Sequence, residues 1–289
     1  MPPRRLALDD LNRMAVDAFV AALGDVFEHS PWVAEAVAQS RPFATVGALH
    51  AAMAGAVRAS PRERQMALLR LHPELGDKVA RADLTASSQA EQGSLGLDRL
   101  SGKEFELFQR YNGAYRARYG FPFIICVRRH TRDSVLRQFE RRLRNSVNDE
   151  VDAALDEIAL IARLRLVGKV EGPGKPQIEG QLSTHVLDTT TGRPAPGVGI
   201  ALYEAGAHAR GLLMQTISNN DGRTDRPLIA GEPLRIGSYE IIFEVGRYFA
   251  ARAHFFDEVI VRFSIAEPEG HYHVPLLLSP WSYTAYRGS

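Results

Sequence analysis

Apolar residues recur at helical spacing through the first half of the chain and at strand spacing through the second. Leu11, Met14, Ala18, Leu23 and Phe27 stand near i, i+3, i+4 intervals, and Leu49, Met53 and Val57 repeat the pattern behind a cap at Thr45; this is the period of amphipathic helices. Ser60, Pro61 and Glu63 supply N-cap, N1 and N3 of a further helix, a capping box that satisfies two orphan backbone donors. Ser88 with Glu91 and Ser101 with Glu104 repeat the device. A last helix is predicted from near Asn148, with Val151, Leu155, Ile158 and Ala162 on one stripe. At 100° per residue Arg165 projects from that stripe, while Arg163 lies about 140° from Ile158. An inward guanidinium needs an anionic partner, so Arg165 is read as a substrate-binding group or as half of a buried pair with Glu91, and Arg163 as solvated. The run Arg141, Arg142 and Arg144 reads as a solvated face with Leu143 turned inward.

The text changes at Glu171-Gly-Pro-Gly-Lys-Pro-Gln177, which cannot sustain a helix. Residues 171–178 are therefore expected to link a helical domain, 1–170, to a second domain, 179–289. Beyond the link the period becomes two: Leu182, Thr184 and Val186 alternate with Ser183, His185 and Leu187, and Val198, Ile200 and Leu202 behave alike. Asn220-Asp221-Gly222 signals a turn, and strand-like runs follow at Tyr239 to Val245, Val259 to Ile265 and Tyr272 to Leu278. Six to eight short strands of this kind predict a β-sandwich of roughly 110 residues. The fold class is thus multidomain, all-α followed by all-β.

A chain of 289 residues is long enough for two cores. With 35 basic and 34 acidic residues and a formal charge of +1, there is no electrostatic case for nucleic acid or a membrane as partner. The single cysteine, Cys126, excludes an internal disulfide framework and sits in an apolar stretch without an activating base. No apolar run is long enough to span a membrane, and the first residues lack the apolar core of a signal peptide; a cytoplasmic protein is the expectation.

Five ordered segments of the second half carry a resemblance: Leu182-Ser-Thr-His-Val-Leu-Asp188, Gly192-Arg-Pro-Ala195, Asp221-Gly-Arg223, His271-Tyr-His-Val-Pro-Leu-Leu-Leu-Ser-Pro280 and the ending Tyr286-Arg287-Gly288-Ser289. They resemble the 5-hydroxyisourate hydrolases of the transthyretin-like family. The resemblance implies His185, Arg223, His273 and Ser289 as catalytic residues, with Tyr286, Arg287 and Gly288 at the substrate. Opening an acylurea-type ring needs an activated water and a donor for the oxyanion, which two imidazoles and a guanidinium supply without metal or cofactor. His271 and His273 could suggest zinc, but no carboxylate or cysteine accompanies them in sequence. Where the family has threonine before its closing tetrapeptide, this chain has Ala285.

In the first half, His29-Ser-Pro-Trp-Val-Ala34, Arg41-Pro-Phe43, His72-Pro-Glu-Leu-Gly76, Ser88 to Gln92 and Phe121-Pro-Phe-Ile-Ile125 are similar in order and spacing to 2-oxo-4-hydroxy-4-carboxy-5-ureidoimidazoline (OHCU) decarboxylases. By resemblance His72 is the acid/base residue, Glu91 and Gln92 bind the ring and ureido group, and Pro73, Ser88, Phe121, Phe123, Ile124, Ile125 and Arg165 complete the site. A decarboxylase without cofactor relies on the substrate ring to hold the electrons left by carbon dioxide. The pair of resemblances implies a fusion that takes two small molecules in turn, 5-hydroxyisourate and OHCU, to (S)-allantoin, and a tetramer through the sandwich. The rival reading is a transthyretin-like ligand carrier on a catalytically silent helical scaffold.

Overall fold

The computed structural model describes residues 5–76, 85–97, 100–206 and 210–288. The chain divides into two compact units, Met1–Arg128 with Val135–Gln177, and Arg129–Ser134 with Ile178–Ser289.

The first unit is helical: α1 (Leu8–Arg13), α2 (Val16–Leu23), α3 (Trp32–Ala38), α4 (Val46–Ala59), α5 (Arg62–Arg70), α6 (Ala86–Ser94), α7 (Gly102–Tyr119), α8 (Arg132–Arg142, from Val135 onward) and α9 (Val147–Lys169). Of the predicted stripes, Leu11, Leu23, Phe27, Leu49, Met53, Val57, Val151, Leu155, Ile158 and Ala162 lie in one core and Met14 packs against it, whereas Ala18 is exposed and the neighbouring Phe19 is the residue α2 turns inward. Its aromatic centre is Tyr115, edge-on to Phe121, Phe123 and Phe139. Thr45 caps α4 by accepting from the Ala48 amide, and Ser101 with Glu104 forms a full capping box on α7.

Two other predicted boxes are not built. Ser60 Oγ donates to Val57 O at the end of α4, and α5 starts after Pro61 without a side-chain cap. The preceding helix has taken the hydroxyl that the next one needed. On α6 the N-cap is Thr85, whose Oγ1 accepts from Ser88 N, so Ser88 stands at N3 and Glu91 a turn further along. Glu91 is thereby released from capping.

Arg142 overturns the reading of a solvated basic face. Its side chain is 1% exposed and pairs with the fully buried Glu150 at 2.6 Å, donates to Ile124 O at 2.7 Å and lies over the Phe123 ring. Tyr115 hydroxyl also bonds Glu150, and Asn145 donates to its other oxygen at 2.7 Å. A buried guanidinium is tolerable only with such full pairing; Arg141 and Arg144 face solvent, while Leu143 is half-buried. Arg163 likewise is half-buried rather than solvated, donating to Gln177 O with Nε left unpartnered.

Val170–Glu171 (β2) pairs in parallel with Leu6–Ala7 (β1), and the carbonyls of Pro173 and Gly174 accept from Val46 and Gly47 at 2.9 and 3.1 Å. The Pro/Gly run thus satisfies the exposed amides of the first turn of α4.

The second unit carries β3 (Gly180–Asp188), β4 (Arg193–Pro194), β5 (Gly199–Ala205), β6 (Arg210–Ile217), β7 (Ile229–Glu232), β8 (Gly237–Glu244), α10 (Val245–Tyr248), β9 (Glu258–Ile265), β10 (His271–Leu278) and β11 (Tyr283–Ala285). One sheet has the order β11-β10-β3-β4 with β7 also on β3; the other is β6-β5-β8-β9. Between them lie Leu182, Val186, Ile200, Leu202, Ile241, Phe243, Leu276 and Leu278. β3 alternates strictly, with Leu182, Thr184 and Val186 buried and Ser183 and His185 on the opposite face. β10 runs parallel to it in the register His273 to Ser183 and Pro275 to His185. Parallel pairing of these two strands is what sets the histidines of one beside the polar face of the other. Among the described residues no helix is long and apolar enough to cross a membrane.

Candidate active sites

In the helical unit a cleft with about 370 Å³ of atom-free space, partly open to solvent, is lined by His72, Pro73, Ser88, Glu91, Gln92, Phe123, Ile124, Ile125 and Arg165, with Leu75, Val127 and Ile161. His72 follows the last turn of α5 and is buried; its Nδ1 donates to Leu68 O at 3.0 Å. A carbonyl can only accept, so the hydrogen-bond pattern assigns the proton to Nδ1 and leaves Nε2 with its lone pair for a ligand. Burial, opposed by the Leu68 bond and the Glu28 charge, pushes the imidazole pKa down to about 4. His72 is therefore neutral at pH 7.

Arg165 is the hub of the cleft. It grips Glu91 through Nε and Nη2 at 2.9 and 2.8 Å, Glu28 through Nη1 at 2.8 Å and Ser88 Oγ through Nη2 at 3.1 Å. The fork on Glu91 is the bidentate arrangement that fixes both groups in plane. Glu28 also accepts from Thr85 and Ser88 at 2.7 and 2.9 Å. Burial alone would raise its pKa, but these donors and the guanidinium outweigh that and lower it. Burial pulls Arg165 down as well, and the two carboxylates more than offset this. Gln92 bridges the loop after His72, accepting from Gly76 N and donating to Glu74 O, both at 3.2 Å. Phe121 is not in the cleft; it packs against Tyr115 and Tyr119 in the core behind it.

In the sandwich, a cleft of about 660 Å³ of atom-free space is lined by Gln181, Ser183, Thr184, Arg223, Thr224, Asp225, Arg226, Pro227, His271 and His273. His185 pairs by backbone with Arg223, and His273 with Gly288. His185 is not among the lining residues, and its Nε2 is buried without a partner. Burial first, then the Arg223 charge, lowers the pKa of His185; the same two causes, with His185 and His271, lower that of His273. Both imidazoles are thus held toward the neutral form, which water activation needs.

A family profile described as OHCU decarboxylase matches residues 12–167, and one described as HIUase/Transthyretin matches residues 182–288. An OHCU decarboxylase of Haloferax volcanii is 47% identical over 161 residues, 56% of this chain and 94% of the relative. A 5-hydroxyisourate hydrolase of Pseudomonas aeruginosa is 46% identical over 122 residues, 40% of this chain and 97% of the relative. The crystal structure of (S)-allantoin synthase superposes with a TM-score of 0.52 and 34% identity, covering 98% of this chain and 100% of that one. The chain belongs to the OHCU decarboxylase family, and its second unit to the HIUase/transthyretin family.

The OHCU decarboxylase unit holds together all the residues expected there except Phe121, and adds Glu28, which the sequence reading did not single out. Glu28 lies in irregular chain after α2, where no periodicity says which way a side chain points; the one signal was that an inward Arg165 needs carboxylate company. In the hydrolase unit the tail is divided. Gly288 N donates to His273 O at 2.8 Å, whereas the Arg287 guanidinium lies over the Tyr272 ring and 3.8 Å from Glu267, and Tyr286 is exposed. Ser289 lies outside the described residues. Ala285 pairs with Leu276 and packs its methyl on the sandwich core.

Two expectations follow. His72 has a folded pKa of about 4 against 6.5 unfolded, so its contribution is complete above pH 6.5 and is lost as pH falls through 4. It amounts to roughly 3 kcal/mol, and thermal melts from pH 7 to 4 should show the helical unit losing stability, less so in His72→Gln. A β-carbon on Gly288 would meet His273 Cδ2 at 2.7 Å. Gly288→Ala should therefore displace that imidazole and lower hydrolysis about 10²-fold, read from 5-hydroxyisourate decay, with decarboxylation unchanged.

Proposed function

We propose that the sandwich hydrolyses 5-hydroxyisourate to OHCU and that the helical unit decarboxylates OHCU to (S)-allantoin. The observation that carries this is that one chain assembles both constellations, His72 with Glu91, Gln92 and Arg165 around one cleft and Arg223 with His273 around another. In the decarboxylase cleft the substrate ring retains the electron pair when carbon dioxide leaves, and a proton must reach one face of the carbon. His72 presents the lone pair of Nε2 to the cleft, so it takes the proton of the substrate's hydroxyl and returns it to the carbon; Arg165 and Glu28 hold Ser88 and Glu91 in place around the ring. The apolar wall of Phe123, Ile124 and Ile125 leaves the departing carboxylate poorly solvated. In the hydrolase cleft His273, held toward the neutral form by burial and the Arg223 charge, activates water, and Arg223 steadies the oxygen that becomes negative.

We place the protein in the cytoplasm, and assign it a homo-oligomeric, tetrameric state through the sandwich, to be read by light scattering. The test of function is fresh 5-hydroxyisourate, generated by enzymatic oxidation of urate, followed by ultraviolet absorbance and circular dichroism. Accelerated decay and optically active allantoin are expected. Spontaneous-rate decay with stoichiometric binding would instead establish the carrier reading.

A further inference from the structure

The strand pair that positions His273 also sets a hydroxyl and a third histidine beside it. Ser183 Oγ lies 3.0 Å from His273 Nδ1 and 3.3 Å from His271 Nε2. All three side chains line the hydrolase cleft, and they are brought together by the parallel register in which Gln181, Leu182 and Ser183 face His271, Tyr272 and His273. We propose that Ser183 and His271 are positioning residues for hydrolysis, forming a relay that fixes the tautomer of His273 and carries its proton to solvent. The proposal rests on the hydrolase reading of the same site.

The relay has one direction that leaves a base for water: Nδ1 is the nitrogen turned toward Ser183, and with the proton there Nε2 keeps its lone pair. The Ser183 oxygen then accepts from Nδ1, and its own hydrogen is free to go to His271 Nε2. When His273 Nε2 takes a proton from the attacking water, Nδ1–H passes its proton to Ser183 Oγ. Ser183 passes its hydrogen to His271, which is exposed and exchanges with solvent. One N–H forms and one breaks on His273, one O–H breaks and one forms on Ser183, and the N–H formed on His271 Nε2 is lost to solvent water, so no other reactant is needed. The charged and titratable groups facing His273 are Arg223, His185 and His271, with Asp225 and Arg226 on the cleft wall. Among these, His271 is the group joined to it by a hydroxyl bridge. His271 is thereby assigned a role that a pair of adjacent metal-ligand candidates would not have.

The test uses the full chain, with 5-hydroxyisourate decay as readout and decarboxylation of the same sample as internal control. Ser183→Ala is expected to lower kcat about tenfold or more, with KM within about twofold, and Ser183→Thr to restore it. His271→Phe, at an exposed position, is expected to fall in the same way, and the double variant to be no slower than Ser183→Ala alone, because both changes cut one chain. Histidine nitrogen NMR should show His273 losing its Nδ1–H preference in Ser183→Ala. Losses that multiply, a wild-type rate in His271→Phe, or an unchanged tautomer in Ser183→Ala would overturn the relay. Failure of the wild-type chain itself to accelerate decay would instead overturn the hydrolase reading.

Discussion

His72→Ala is expected to slow decarboxylation by about 10² to 10⁴, the range for loss of a positioned acid/base group, while 5-hydroxyisourate decays at the parental rate. The structure gives the reason for both halves. His72 presents an unprotonated Nε2 to a cleft of the helical unit, and the groups implied in hydrolysis belong to a unit with its own core. The intermediate OHCU should accumulate and racemic allantoin should appear slowly, as seen by circular dichroism and carbon NMR. Unchanged formation of optically active allantoin would remove His72 from the mechanism. Because the imidazole is neutral well below pH 7, the acid limb of kcat/KM for the parent should lie nearer pH 4 than 6.5.

Arg165→Ala should be the most damaging change to the helical unit. It strips two carboxylates, Glu28 and Glu91, of the cation that neutralises them, and Glu28 is 2% exposed. Breaking a buried pair from one side typically costs about 3 to 5 kcal/mol. Calorimetry should show the first transition lowered and that of the sandwich unmoved, with decarboxylation lost even below the new melting point. Arg163→Ala removes a bond to the Gln177 carbonyl and leaves the cleft intact, so its effect on rate should be small. Equal effects of the two substitutions would contradict the network around Arg165.

Residues whose direction is set by a period were legible in the sequence. Arg165 could be placed inward by counting along α9, and Ser183 and His185 could be put on one face of β3 by alternation alone. What defeated the reading was tertiary competition for polar groups. Ser60 belongs by sequence to the helix that follows it, yet its hydroxyl is taken by the helix before. Arg142 sits in a basic run at the end of α8, and only the arrival of Glu150 and the Ile124 carbonyl from elsewhere makes its burial tolerable. Glu28 was invisible for the same reason, its hydrogen-bond partners lying 57 to 137 positions away. The tail was recognisable as a motif, but that Gly288 would press on His273 while Arg287 turned to Tyr272 depends on strand geometry no motif records.

The lone thiol gives the molecule a built-in clock. Cys126 is buried, its amide held by Glu157 at 2.8 Å, and it is the sole cysteine in 289 residues. A thiol-specific reagent added under native conditions can attach only when the helical unit opens around residue 126, so the labelling rate counts opening events of that unit alone. The sandwich, having no sulfhydryl, is silent in the same experiment. Ligands of the decarboxylase cleft, whose wall at Ile124 and Ile125 immediately precedes Cys126, should slow that clock by mass action, turning substrate occupancy into a rate of covalent modification that mass spectrometry can count.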